Sequence, residues 1–336
     1  MLTIDMLREI ELCTRPKAQM AVAQFLRANY AFPPTRTSIT LEGLDRIPSR
    51  GRIYLAMNHT DRFNYFPFQL RMWRLRDEFT ATWVKGKYYN NDVVRAFMLA
   101  TNNIPTPSKG YVISADALNV LGRPPGEELY RAIRKALDTG GCDEALRAWA
   151  AENGYEEEVH RLVQTPRTVL GYPHGPPFDY MGTLAAVFEE LMECFVTLNE
   201  QAFSRGIKVI VFPEGTRSRR LGVGHVGLAQ MAVRTKATVI PVGCSGSDIA
   251  YPDDLPIARG GDLVYRIGEP LTPSEALARF QIDDQFQPFS DSATRYSSVF
   301  SEMTELIMDR INALLDPPYQ RERGVLGDVA GSARFI

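Results

Sequence analysis

The chain has no apolar run approaching the ~18–20 residues a helix needs to cross a bilayer, which excludes a helical membrane span. It has no excess of either charge: 38 Lys and Arg stand against 40 Asp and Glu, a net −2. That balance excludes wholesale electrostatic binding to nucleic acid or to an anionic bilayer and leaves room only for local patches. Cysteine is scarce. Cys13, Cys142, Cys194 and Cys244 are dispersed, with no C-x-x-C pair, and read as reduced thiols, neither disulfides nor metal ligands. No metal-ligand constellation appears, no glycine-rich nucleotide loop opens a helix, and Gly-x-Ser-x-Gly is missing. There is no internal repeat. The opening residues, Met1-Leu2-Thr3-Ile4-Asp5, lack a basic stretch followed by an apolar core. No secretory leader is therefore expected, and the protein is expected to be cytoplasmic or peripheral on the cytosolic face of a membrane.

What the 336 residues do contain is enough apolar content, 45%, for a sizeable core. Residues 5–31 read as helical, split by Pro16 and ended by Pro33-Pro34. Packing on the core is the leading reading of this segment, with an interfacial helix flanked by Lys17 and Arg27 as its rival. Ser38 to Leu41, Arg52 to Met57 and Phe79 to Val84 are strand-like. Helical patterns follow over Glu127–Leu137, Asp143–Ala151 and Glu156–Val163, separated by glycine breaks. A long helix, Thr183 to Phe203, precedes strands at 207–212, 238–243 and 262–267. Thr272-Pro273-Ser274-Glu275 carries the signals of a helix start. Val299, Met303, Leu306, Ile307 and Ile311 form an apolar stripe on a last helix, after which a polar tail is expected to fray beyond Tyr319. The order reads as α/β: a mixed, mostly parallel sheet flanked by helices. An N-terminal helical segment (1–37) precedes a core (38–272) with a helical insertion at about 111–180, and a helical segment and tail (273–336) end the chain.

Two strand ends carry the chemistry. The β-branched run Gly206 to Val211 leads into Phe212-Pro213-Glu214-Gly215-Thr216-Arg217-Ser218, and the strand ending at Met57 leads into Asn58-His59. Ligands of open α/β sheets bind at such strand ends. One end offers a candidate base and the other an anion clamp, so a single active site is expected.

At these residues the chain resembles the glycerophospholipid acyltransferases, the enzymes typified by lysophosphatidic acid acyltransferase. That family carries N-H-x-x-x-x-D, then F-P-E-G-T-R-S, then a strand with V-I-P-V, supplied here by Val239-Ile240-Pro241-Val242. Val264 to Pro270 resembles the family's closing strand, and the resemblance spans roughly residues 38–272. The family's aspartate, five places after the histidine, is Asn64 here. The resemblance implies transfer of a fatty acyl group from acyl-CoA or acyl carrier protein to a hydroxyl of a glycerol phosphate, a lysophospholipid or a related alcohol. It implies no bound cofactor beyond the thioester co-substrate, and possible peripheral membrane contact.

Histidine suits the removal of the acceptor's proton, because its unperturbed pKa of ~6.5 lies near working pH. His59 is thus the candidate base, with Asn64 or Asp61 to orient its ring. Asn64 can orient but cannot supply charge, and either end of its amide could face the ring. Arg217 offers a planar fork for phosphate. Glu214 is read as bonding an acceptor hydroxyl or holding the arginine, and Gly215 as allowing close backbone approach; Thr216 completes the binding turn. Lys109 is a weaker candidate for a second phosphate contact. His174, with Asp179 five residues later, repeats the histidine spacing formally. Phe63, Tyr65, Phe66 and Phe68 read either as an acyl-chain lining or as core. Because of Asn64, a catalytically silent acyl-carrier or lipid-binding protein on the same fold is the alternative reading.

Overall fold

The computed structural model describes residues 1–175 and 179–321. Pro16 separates two N-terminal helices, α1 (Ile4–Arg8) and α2 (Lys17–Ala31). Then come β1 (Thr37–Glu42), β2 (Ile53–Met57), α3 (Tyr65–Arg76), β3 (Thr80–Lys85), α4 (Asp92–Ala100) and β4 (Asn103–Thr106). Next come α5 (Lys109–Leu121), α6 (Glu127–Asp138), α7 (Asp143–Asn153) and α8 (Glu156–Gln164), followed by a hairpin, β5 (Arg167–Val169) and β6 (Tyr172–His174). The chain continues with α9 (Tyr180–Ser204), β7 (Lys208–Val211), α10 (Gly227–Thr235) and β8 (Thr238–Ser245). It closes with α11 (Ser247–Ala250), β9 (Gly261–Ile267), α12 (Asp291–Thr294) and α13 (Ser297–Asn312).

Seven strands form one sheet in the order β1-β9-β8-β2-β7-β3-β4. All neighbours are parallel except β8 and β9, so the sheet is mixed and mostly parallel, as the sequence pattern predicts. Every residue of β2 and β7 is buried, which explains their unbroken apolar character: helices cover both faces. Alternation along β2 divides the core. Tyr54 and Ala56 join the cluster beneath α9 and α13, while Ile53, Leu55 and Met57 join that beneath α2 and α3.

The position of the site follows from the connections. From β2 the chain crosses by α3 to β3, on the far side of β7. From β7 it crosses by α10 in the opposite direction to β8. The two loops leaving the C-terminal ends of adjacent β2 and β7 therefore diverge and open a crevice between them, the switch-point geometry of open α/β sheets.

Some elements depart from the sequence reading. Thr272 to Glu275 does not start an α-helix: the N–H groups of Glu275 and Leu277 both bond to Thr272 O, and a 3₁₀ turn follows at Ala278–Phe280. Leu277 and Phe280, three apart, are both buried, a spacing that a 3₁₀ turn places on one side. The strand β4, the helices α3 and α4 and the hairpin β5–β6 were not foreseen. Phe63, Tyr65, Phe66 and Phe68 are buried in the core on the α2–α3 side of the sheet. In α2, Ala23, Leu26 and Tyr30 pack inward while Phe25 remains outside. The tail expected to fray lies, from position 322 on, outside the described residues.

Candidate active site

His59 is held through its backbone by the loop that follows β7. Its N–H donates to Glu214 Oε1 at 2.8 Å, and its carbonyl accepts from Ser218 N–H at 2.9 Å. Its ring stacks on Phe212, centroids 4.1 Å apart and planes 18° from parallel. The preceding residue, Asn58, extends the β2–β8 pairing with its side chain. Its Oδ1 accepts from Cys244 N–H at 2.7 Å and its Nδ2 donates to Cys244 O at 2.9 Å. A buried amide with both ends satisfied in this way fixes the chain direction at the sheet edge.

Asn64 lies fully buried beside this pair. Its Nδ2 donates to Asn58 O at 2.8 Å, and its own carbonyl accepts from Tyr265 O–H at 2.6 Å. A carbonyl can only accept, so the amide cannot turn over without setting oxygen against oxygen. This resolves the ambiguity left by the sequence: Oδ1 is the end free for the histidine. Asn64 Oδ1 and His59 Nδ1 are both enclosed and neither has a hydrogen-bond partner of ordinary geometry. They complement one another if Nδ1 carries the proton, and Nε2 then keeps its lone pair.

Asp61 is not the orienter. Its Oδ1 accepts from Phe63 N–H at 2.8 Å and its Oδ2 from Thr60 O–H at 2.9 Å, so it closes its own turn, and no hydrogen bond or ion pair joins it to His59. Burial pushes its carboxyl above the ordinary range. Glu214 also differs from its expected position. It is not paired with Arg217, and its oxygens are committed to two backbone donors, His59 N–H and, at 2.7 Å, Gly222 N–H. Gly215 sits at φ +63, and a Cβ there would lie 3.1 Å from His225 Cδ2, so the turn itself requires glycine. Thr216 is exposed, its hydroxyl 3.4 Å from Glu214 O. Arg217 is half-exposed at the rim, 3.5 Å from Asp254 Oδ1.

Two other candidates fall away. Lys109 is bound to Asp138 at 2.8 Å at the start of α5, which corrects its reading as a phosphate contact. His174 is buried with both ring nitrogens occupied, by Thr183 Oγ1 and Val163 O, each at 3.0 Å, while Asp179 caps α9 through Gly182 N–H. Sequence reasoning missed Gly222, Tyr265 and Arg62. Tyr265 and Arg62 act through contacts with Asn64 and Asp254, far apart in sequence, which no local pattern encodes, and Gly222 through a contact with Glu214 within its own loop.

Burial lowers the pKa of His59 to about 3; Asn64 opposes the shift, and the charges of Arg217 and Lys85 add to it. The ring is therefore neutral at neutral pH. Burial raises Glu214 to about 7, although its two N–H donors and the charge of Arg321 hold it back.

Residues 188–245 match the family model described as Acyltransferase. That segment runs from within α9 through β8 and contains the Glu214–Arg217 loop, while His59 and Asn64 lie outside it. The match falls on the segment that carries the Phe212-to-Ser218 motif and agrees with it. Among solved structures it is similar to the 1-acyl-sn-glycerophosphate (LPA) acyltransferase PlsC of Thermotoga maritima. The identity is 16%, the TM-score 0.36, and the alignment covers 91% of this chain and 80% of that one. No curated protein matches.

The raised Glu214 pKa gives a stability signature. Below its ordinary value of 4.5 the carboxyl is protonated in both folded and unfolded chains. Between there and about 7 the unfolded chain releases the proton and the folded chain retains it, so stability falls as pH rises, by up to about 3 kcal/mol. Urea midpoints measured from pH 5 to 8 should therefore decline in the wild type and decline less in Glu214→Gln. Equal slopes would show that Glu214 does not titrate in this window.

Proposed function

We propose that the protein is an O-acyltransferase moving a fatty acyl group from acyl-CoA or acyl carrier protein to a hydroxyl of a glycerol phosphate, lysophospholipid or related alcohol. The observation that carries this reading is the placement of His59, whose backbone is gripped by the loop that carries Arg217, at the crevice between β2 and β7. His59 Nε2 takes the acceptor's proton as the hydroxyl oxygen attacks the thioester carbonyl. The tetrahedral intermediate collapses to ester and thiolate, and the imidazolium returns its proton to the thiolate. No acyl-enzyme forms, and the thioester is a co-substrate with no further cofactor required.

Asn64 holds Nδ1–H through its amide oxygen and so keeps Nε2 as the base. It contributes no negative charge, and the imidazolium must form near Arg217 and Lys85. A phosphate on the acceptor relieves part of this cost by neutralising Arg217. Glu214 is a positioning residue that fixes the backbone of His59, and Arg217 is the acceptor clamp. The low basicity of His59 favours the alternative, a silent acyl-binding protein, in one respect: a weak base supports little proton transfer.

Thioester consumption with lysophosphatidate as acceptor separates the two. His59→Ala should lose about 10²- to 10⁴-fold in turnover. Asn64→Asp should turn over faster than wild type but unfold at lower urea, because one carboxylate oxygen would face Asn58 O. If wild type and His59→Ala turn over equally slowly with several donors and acceptors, the enzyme reading fails and the silent one stands.

The acceptor's class brings a membrane into the proposal. No helix among the described residues is long and apolar enough to cross one. Phe25, Phe32, Ile249, Leu255 and Ile257 are nevertheless large, apolar and exposed. Phe25, Asn29 and Phe32 share one stripe of α2 and its end, and Asn29 bonds both N–H and C=O of Ala258, next to Ile257. The end of α2 and the 255–257 segment thus meet through Asn29 and Ala258, next to the Asp254 loop, and we assign this apolar surface to a lipid surface. Co-sedimentation with vesicles of phosphatidylcholine and phosphatidic acid should fall in the double variant Phe32→Ser, Leu255→Ser. Unchanged binding, or no binding by the wild type, would rule the assignment out.

A further inference from the structure

Three loops from neighbouring strands meet at the rim: Arg62 after β2, Arg217 after β7 and Asp254 after β8. Arg62 Nη2 lies 3.2 Å and Arg217 Nη1 3.5 Å from the same oxygen, Asp254 Oδ1. Two guanidinium groups converging on a single carboxylate oxygen form a site with the charge and the donor geometry for a phosphate monoester. Arg62 has a second sign of an unfilled role. Its Nε is enclosed and has no hydrogen-bond partner, although its Nη2 reaches Asp254.

We propose that Arg62 is the second cation of the acceptor clamp, and that Asp254 is a carboxylate placeholder that a phosphate monoester must displace. This rests on the acyltransferase reading only for the identity of the acceptor; the displacement itself is a binding equilibrium. Lys109, the weaker candidate for a second phosphate contact, is bound to Asp138. Arg62 lies instead inside the block between His59 and Asn64, so one arm of the clamp and the base are carried by one loop. Asp254 is 71% exposed on its side chain, and Arg62 and Arg217 are 40% and 48% exposed. The placeholder pairs are therefore weak, as suits a contact that opens for each substrate. Removing Asp254 frees both arginines, and removing Arg62 leaves Arg217 as a single, unaided fork.

Calorimetric titration of the full chain with sn-glycerol 3-phosphate, with a short-chain lysophosphatidate and with glycerol tests this directly. Asp254→Asn should bind both phosphate monoesters about threefold more tightly than wild type. Asp253→Asn makes the same change in net charge at a carboxylate paired with Arg259, and should bind as wild type does. Arg62→Gln should weaken both phosphate ligands about fivefold or more, with Arg62→Lys in between, because an ammonium keeps the charge and loses the fork. Glycerol should respond to none of these changes. Tightening in one phosphate ligand alone would assign the clamp to the soluble or to the lipid-borne headgroup. If Asp254→Asn and Asp253→Asn bind alike, or if a folded Arg62→Lys binds as tightly as wild type, the proposal is overturned. Failure of acyl transfer alongside the expected binding changes would remove the acyltransferase reading and leave the clamp.

Discussion

The site depends on one buried carboxylate. Glu214 lies at the end of β7 and accepts a hydrogen bond on each oxygen, one from His59 N–H across the crevice and one from Gly222 N–H in its own loop. Ser218 N–H completes the grip by donating to His59 O. The loops after β2 and β7 are more than a hundred residues apart in sequence and are joined here by two hydrogen bonds to the His59 backbone, with a third bond bracing Glu214 within its own loop. Without Glu214 two part-buried N–H groups would lose their acceptor, each at about 1 kcal/mol. A stretch that looks like a ligand-binding motif is thus, in its glutamate, a brace that holds the histidine in place.

Around that brace the network runs inward. Tyr265 O–H fixes Asn64 by its carbonyl, Asn64 Nδ2 bonds to Asn58 O, and the Asn58 side chain pairs with Cys244 at the end of β8. The His59 ring rests on Phe212 and faces Asn64 Oδ1 through its enclosed nitrogen. All of these contacts are made by neutral groups. The electrostatic consequence is a ring that stays neutral, because burial and two cations disfavour the charged form and no carboxylate opposes them. In the proposed mechanism, asparagine at position 64 orients the ring and supplies no charge.

Much of this fold is written in local pattern. The β-branched runs at β2 and β7 need burial on both faces, and helices α6, α7 and α8 are separated by glycine breaks. The Phe212-to-Ser218 loop announces a strand end, and His59 is found by its pairing with that loop. Direction of side chains is another matter. Nothing in the spacing of Glu214 and Arg217 says that one turns inward and the other outward, since that depends on which backbone donors the folded loops supply. The amide orientation of Asn64 is decided by a carbonyl six residues earlier in the chain. Arg62 was passed over because its partner, Asp254, is nearly two hundred residues away. Strand β4, Asn-Ile-Pro-Thr, was hidden by Pro105, which is tolerated there because β4 is an edge strand. The helix signals at Thr272 were overridden by the burial of Leu277 and Phe280.

The central claim is that His59 is a neutral base with its proton on Nδ1, and ¹⁵N resonances of its imidazole report that state directly. From pH 5 to 8 the Nε2 resonance should remain that of an unprotonated nitrogen and the Nδ1 resonance that of an N–H, with no titration across the range. A proton on Nε2, or a titration near the ordinary histidine value of ~6.5, would contradict it.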